Sequence, residues 1–263
     1  MKKTTTILCL GIALCMLGCS DDDDQVTTTS TVPFSLTASL SPRSSDAEDT
    51  GILQGNWDAN SQLAVIKTGS SGVPKSILTR KTDSSDTFTG NLSTLVKNEN
   101  EIAVFYPAAA ITANSSDTLT QTLNLSGQDG TLAGITNYDY LWAQCKAGMN
   151  ETTGSSACEM TSLVTIGKFQ FTVNGGSPLN NITRITITAT AGTLYSSAVM
   201  KLKNGEFSST QTGNITIKNK AGISGTTYIS FFPSEAQLHF TLVTTTGEVY
   251  DCLLYTSPSP RDA

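Results

Sequence analysis

The sequence predicts an all-β chain built from β-sandwiches, and three observations predict it. Charged residues make up only 14% of the 263, and Thr, Ser, Asn and Gly carry much of the polarity instead. That is the profile of strands alternating threonine with aliphatics. Short apolar alternations recur, separated by Gly, Asn and Pro turns, in the spacing of sandwich strands. No stretch sustains the 3.6-residue period of an amphipathic helix.

The first element is for export. Lys2 and Lys3 precede an apolar run, Ile7 to Leu17, that is too short to span a bilayer, so residues 1–18 read as a signal peptide. The run ends in Gly18-Cys19, which resembles the lipobox of bacterial lipoproteins. That resemblance implies cleavage before Cys19, a diacylglycerol on its thiol with acyl chains such as palmitate, and an outer-membrane lipoprotein. The acidic run Ser20 to Asp24 resembles the tag that sends lipoproteins to the cell surface in Gram-negative anaerobes with type V pili. By composition, residues 19–32 form an acidic, Thr-rich tether. No glycine turn or distal glutamate follows to make a calcium loop.

Pro33 to Leu40 alternates strictly, with Phe34, Leu36, Ala38 and Leu40 on one side and Ser and Thr on the other, which predicts a half-buried strand. Ser41-Pro42 ends it, and Arg43 opens an exposed polar segment. Further strands are expected at Leu63–Ile66, Ile102–Tyr106, within Thr118–Leu125, and at Leu163–Val173 with Phe169, Phe171 and Val173 on one face. Ile182–Thr190, Val199–Leu202, Ile215–Ile217, Tyr228–Phe232 and Leu238–Thr244 complete the set. Asn204-Gly205 signals a type I′ hairpin. Gly175-Gly176 reads as a turn. The Gly/Ser/Thr-rich stretch 146–156 reads as a loop and as the boundary between an N-terminal unit, 33–150, and a C-terminal unit, 151–251.

Of six cysteines, Cys9 and Cys15 leave with the signal and Cys19 is assigned to lipid. Cys252 lies in a tail, 252–263, that resembles a translated sequencing-adapter read. Read so, the tail is an artefact and the natural chain continues past Asp251, leaving the second unit incomplete. Cys145 and Cys158 remain, either as a disulfide or as two free thiols. A bridge closing so short a loop would stabilise by about 3 kcal/mol. No second pair or nearby histidine completes a metal site.

Several pieces then fall in a telling order. They are Val32-Pro33-Phe34-Ser35-Leu36 with Arg43, Trp57 ahead of Leu63–Ile66, and Ile102–Tyr106 with Pro107. Tyr138 to Ala143, Phe169-Gln170-Phe171 and Phe231-Phe232-Pro233 follow. With the lipobox and acidic tag, the chain resembles the fimbrillin-like lipoproteins, subunits of type V pili. The resemblance implies two tandem transthyretin-like sandwiches. It also implies proteolytic cleavage at Arg43 that removes the first strand, and polymerisation by strand addition from another fimbrial subunit, supporting adhesion. A histidine frequent in the family between 169 and 181 is missing.

Nothing in the sequence assembles an active site or calls for a cofactor, and the expectation is a non-enzyme. His239, the single histidine, lies opposite in phase to Leu238 and Phe240 and has no serine elbow or paired carboxylate beside it. Asp139 reads as a loop or strand-end residue. Trp57 and Trp142 read as buried anchors. The alternative is a monomeric surface lipoprotein that binds a host glycan or protein through its loops and one of these indoles. The Asn-X-Ser/Thr triplets at Asn91, Asn114, Asn124, Asn150, Asn181 and Asn214 reflect composition. A net charge of −6 argues against nucleic acid as a partner.

Overall fold

The structure, a computed structural model, describes residues 30–42, 51–69, 73–82, 86–112, 120–173 and 176–254. Cys19 and Arg43 lie outside them. The described residues form β1 (Thr31–Leu40), β2 (Gln62–Lys67), β3 (Ser76–Arg80), β4 (Thr87–Ser93), β5 (Glu101–Tyr106) and β6 (Thr120–Asn124). Next come β7 (Leu141–Lys146), β8 (Gly148–Met149), β9 (Gly154–Ser162), β10 (Thr165–Gln170), β11 (Ile182–Gly192) and β12 (Tyr195–Lys201). The last are β13 (Phe207–Thr212), β14 (Ile215–Ile223), β15 (Thr226–Phe231), β16 (Ala236–Thr244) and β17 (Val249–Leu254). The one α-helical turn among them, α1 (Leu132–Ile135), is four residues long. The described residues are nearly all β, as the alternation predicts.

The first sheet runs β1-β4-β3-β2-β5-β7-β9 and closes on itself, because β1 also pairs with β9. Its interior is filled by Phe34, Leu36, Ala38, Trp57, Leu63, Val65 and Phe88 together with further apolar side chains. The remaining strands make three smaller sheets, β14-β11-β16-β17, β13-β12-β6 and β10-β15, around a second core that includes Ile185, Ile187, Ile217, Phe232, Phe240 and Leu242.

The two halves share a wall. In β2, Leu63 and Val65 face the first core while Ala64 and Ile66 face the second. In β5, Ile102 and Val104 face the first core while Ala103 and Phe105 face the second. Strands covered on both sides read as continuous apolar runs, which is why 63–66 and 102–106 show little alternation.

The boundary expected at 150/151 is corrected. β9 belongs to the first sheet, where it takes β1 on one side. β6 belongs to the second half, paired with β12. Stretch 146–156 is only partly a loop, since β8 and the start of β9 fall within it. Residues 252–254, expected to be a foreign tail, continue β17 against β16, with Phe240 opposite Cys252. Residues 255–263 lie outside the described part. The type I′ turn is also corrected. Gly205 has φ +71° while Asn204 stays at negative φ, so the strands join through a longer loop in which Lys201 N–H donates to Glu206 O at 2.8 Å.

Candidate functional site

The candidate site is the seat of β1. Its side chains alternate exposed and buried from Thr31 onward, with Val32, Phe34, Leu36 and Ala38 inward. Unlike an edge strand, it is hydrogen-bonded on both flanks. It runs antiparallel to β4, with Phe34 opposite Gly90 and Leu36 opposite Phe88. It runs parallel to β9, with Phe34 opposite Gly154 and Ala38 opposite Cys158. Only β1 stands between β4 and β9.

Phe34 therefore sits between two glycines. A Cβ on Gly154 would lie 2.7 Å from the Phe34 ring, and one on Gly90 would meet Ile77 O at 2.6 Å. Close approach of backbone and ring at these positions excludes any side chain. Under the far end of the strand, Trp57 is 3% exposed. Its Nε1–H donates to Ala38 O at 2.6 Å. Its ring makes edge contacts with Phe88 at 5.0 Å and Tyr106 at 5.2 Å. Polar clasps hold the end of β1: Ser39 Oγ donates to Cys158 O at 3.3 Å, and Ser41 Oγ to Glu159 Oε1 at 3.1 Å.

Both indoles are used internally. Trp142, half-buried, donates from Nε1 to Leu202 O at 3.0 Å, and its ring lies over Gly205, where a Cβ would come within 2.8 Å. The hairpin of the second half is thereby docked on the first. Tyr140 likewise donates to Asn124 O at 2.7 Å.

Asp139 is fully buried, which sequence reading missed. Burial raises the Tyr106 phenol to about 12, and the charges of Asp139 and Asp58 add to the rise. Burial also raises Tyr140 to about 12. Below pH 10, phenols are protonated in the folded and unfolded chain alike and stability does not respond. Between pH 10 and 12 the unfolded chain ionises first, so stability falls as pH rises through the folded values. We expect a loss on the order of 1–3 kcal/mol per tyrosine, read as a falling urea midpoint that tracks ultraviolet phenolate absorbance.

His239 lies beside Asp251, 3.5 Å from its Oδ1, and is half-buried on β16. Thr241 Oγ1 donates to that carboxylate oxygen at 2.8 Å, so the group serves cross-strand pairing. Asn124 and Asn150 shape turns: their Oδ1 atoms accept from Ser126 N at 2.7 Å and Thr153 N at 2.7 Å. Gly176, at φ +82°, turns the chain between Thr172 and Pro178. Cys145 and Cys158 are free thiols.

Comparison with solved structures places the architecture. A candidate cell adhesion protein from Bacteroides ovatus superposes with a TM-score of 0.55 at 15% identity, covering 85% of this chain and 86% of the other. A second such protein, from Bacteroides uniformis, gives 0.50 at 14% identity, over 86% and 84%. This chain has their fold. A third match, the tip fimbrial protein Mfa3 from Porphyromonas gingivalis with C-terminal truncation, gives 0.41 at 14% identity, over 87% and 83%. No family model and no curated protein matches the chain.

Proposed function

We propose that this chain is a structural subunit of a cell-surface fimbria, assembled by strand exchange and supporting adhesion. The observation that carries the reading is that β1 is a single stave of a closed sheet, paired with β4 on one flank and β9 on the other. Taking β1 out leaves unpaired backbone on β4 and β9 and an apolar slot under it. A strand from the next subunit would refill both, with main-chain hydrogen bonds giving affinity and the Phe34 and Leu36 positions giving selectivity. The superposition on adhesion proteins supports the same reading.

On this reading Cys19 carries the lipid that holds the precursor in the outer membrane, cleavage after Arg43 releases it together with β1, and the partners are other fimbrial subunits. The two halves correspond to tandem transthyretin-like sandwiches, and the chain has no catalytic role. A host-surface ligand would be met by loops and not by the tryptophans, since both indoles are engaged internally. Mass spectrometry of assembled fibres tests the proposal. A mature N-terminus at Ser44 is expected; fibres whose subunits begin at Cys19 and retain β1 would overturn it.

A further inference from the structure

Among the described cysteines, Cys145 and Cys158 are close neighbours. β7 and β9 are antiparallel, with Leu141 opposite Ser162 and Trp142 opposite Thr161. Leu163 N–H donates to Tyr140 O at 2.8 Å, so hydrogen-bonded positions fall at 140 and 142. Carrying that register onward sets Cys145 opposite Cys158 at a non-hydrogen-bonded position, where cross-strand side chains approach most closely. The same register resumes beyond them, with Gly148 opposite Ser155 and Met149 opposite Gly154. Ser156 Oγ donates to Cys145 Sγ at 3.2 Å, and Cys158 Sγ lies 3.9 Å from Met160 Sδ.

The two sulphurs are not equivalent. The neighbouring Cys158 thiol, with the Ser156 hydroxyl assisting, brings Cys145 down to about 7 against the opposing effect of burial. Cys158 is pushed up, by the neighbouring Cys145 thiol and by burial. A thiolate available near neutral pH beside a second thiol is the arrangement of an attacking and a resolving cysteine. Both side chains are only partly buried.

We propose that Cys145 and Cys158 are a redox pair that closes to a cross-strand disulfide, stapling β9 to β7. The oxidant is a small or protein disulfide. Cys145 thiolate attacks one of its sulphurs and expels the other as a thiolate. Cys158 then gives up its proton and attacks Cys145 Sγ, expelling the second thiolate. Two electrons pass from the protein to the oxidant, which leaves as two thiols. Because β9 is one flank of the β1 seat, the staple holds that flank in place whatever strand occupies the seat. The pair forms or fails to form independently of the fimbrial proposal.

The test treats the full chain with oxidised glutathione and then maps tryptic peptides. Cleavage at Lys97, Lys146 and Lys168 puts the two cysteines on separate peptides. The expected result is one disulfide-linked pair and a thermal midpoint raised by roughly 5–10 °C. In Cys158→Ser, reaction should arrest at a glutathione adduct on Cys145. Alkylation of Cys145 in the reduced protein should rise to half its maximal rate near pH 7, and at higher pH in Ser156→Ala. Recovery of the two peptides unlinked, attachment of either cysteine to Cys252, or a linked chain with an unchanged midpoint would overturn the proposal.

Discussion

A chain lacking residues 31–40 is expected to lose its folded monomer and to regain it when a peptide of that sequence is added. Deletion exposes the places of Val32, Phe34, Leu36 and Ala38, all buried, the last two fully. Burying a side chain of the Val, Leu or Phe class is worth about 1.5–3 kcal/mol, so three such residues approach the whole stability of an ordinary domain, about 5–15 kcal/mol. The deletion also strips hydrogen-bond partners from two strands at once. The peptide restores both terms and pays only for its own ordering. Light scattering and circular dichroism read the outcome. A truncated chain that stays monomeric, with an unchanged urea midpoint and no response to peptide, would show that β1 is dispensable. A peptide with Asp at the Leu36 position should fail to rescue, because an unpaired carboxylate would enter the first core.

Trp57→Ala is expected to be the most damaging single substitution at the β1 seat. It empties a site that is 3% exposed, removes two edge-on aromatic contacts, and leaves Ala38 O without the indole donor. Truncations of this class cost about 3–5 kcal/mol, and the orphaned carbonyl adds to that. The midpoint should fall by roughly 10 °C or more. Trp57→Phe keeps most of the apolar contact and loses the hydrogen bond, so it should cost about 1–2 kcal/mol. Trp142→Ala, at a half-buried position, should lie between the two. Should the alanine and phenylalanine variants at 57 prove equal, the hydrogen bond rather than the packing would dominate.

Much of this seat is legible in the sequence, and the illegible part has a physical cause. β1 announces itself because one face is buried and the other wet, so Phe34, Leu36 and Ala38 alternate with Ser and Thr. β9 does not. Its residues Gly154 to Ser162 are mostly small and polar, with Met160 the single buried side chain. What makes it a strand is β1 lying along it, a contact more than a hundred residues distant in sequence. Gly154 reads as a loop residue until the Phe34 ring is seen against it, and the need for glycine at 90 shows only once Ile77 and Leu78 lie beside it. Likewise Asp139 looks like a loop carboxylate because nothing local tells of its burial. Trp57 is buried as the sequence suggests, whereas His239 and Trp142 are only half-buried.

The wall formed by β2 and β5 has a calorimetric corollary. Each strand contributes one face to each core, so neither half keeps its apolar surface covered when the other opens. Melting of the second half would wet Ala64, Ile66, Ala103 and Phe105 in the middle of the first. Differential scanning calorimetry should therefore record one endotherm, with van't Hoff and calorimetric enthalpies in agreement, where two independent modules would give two.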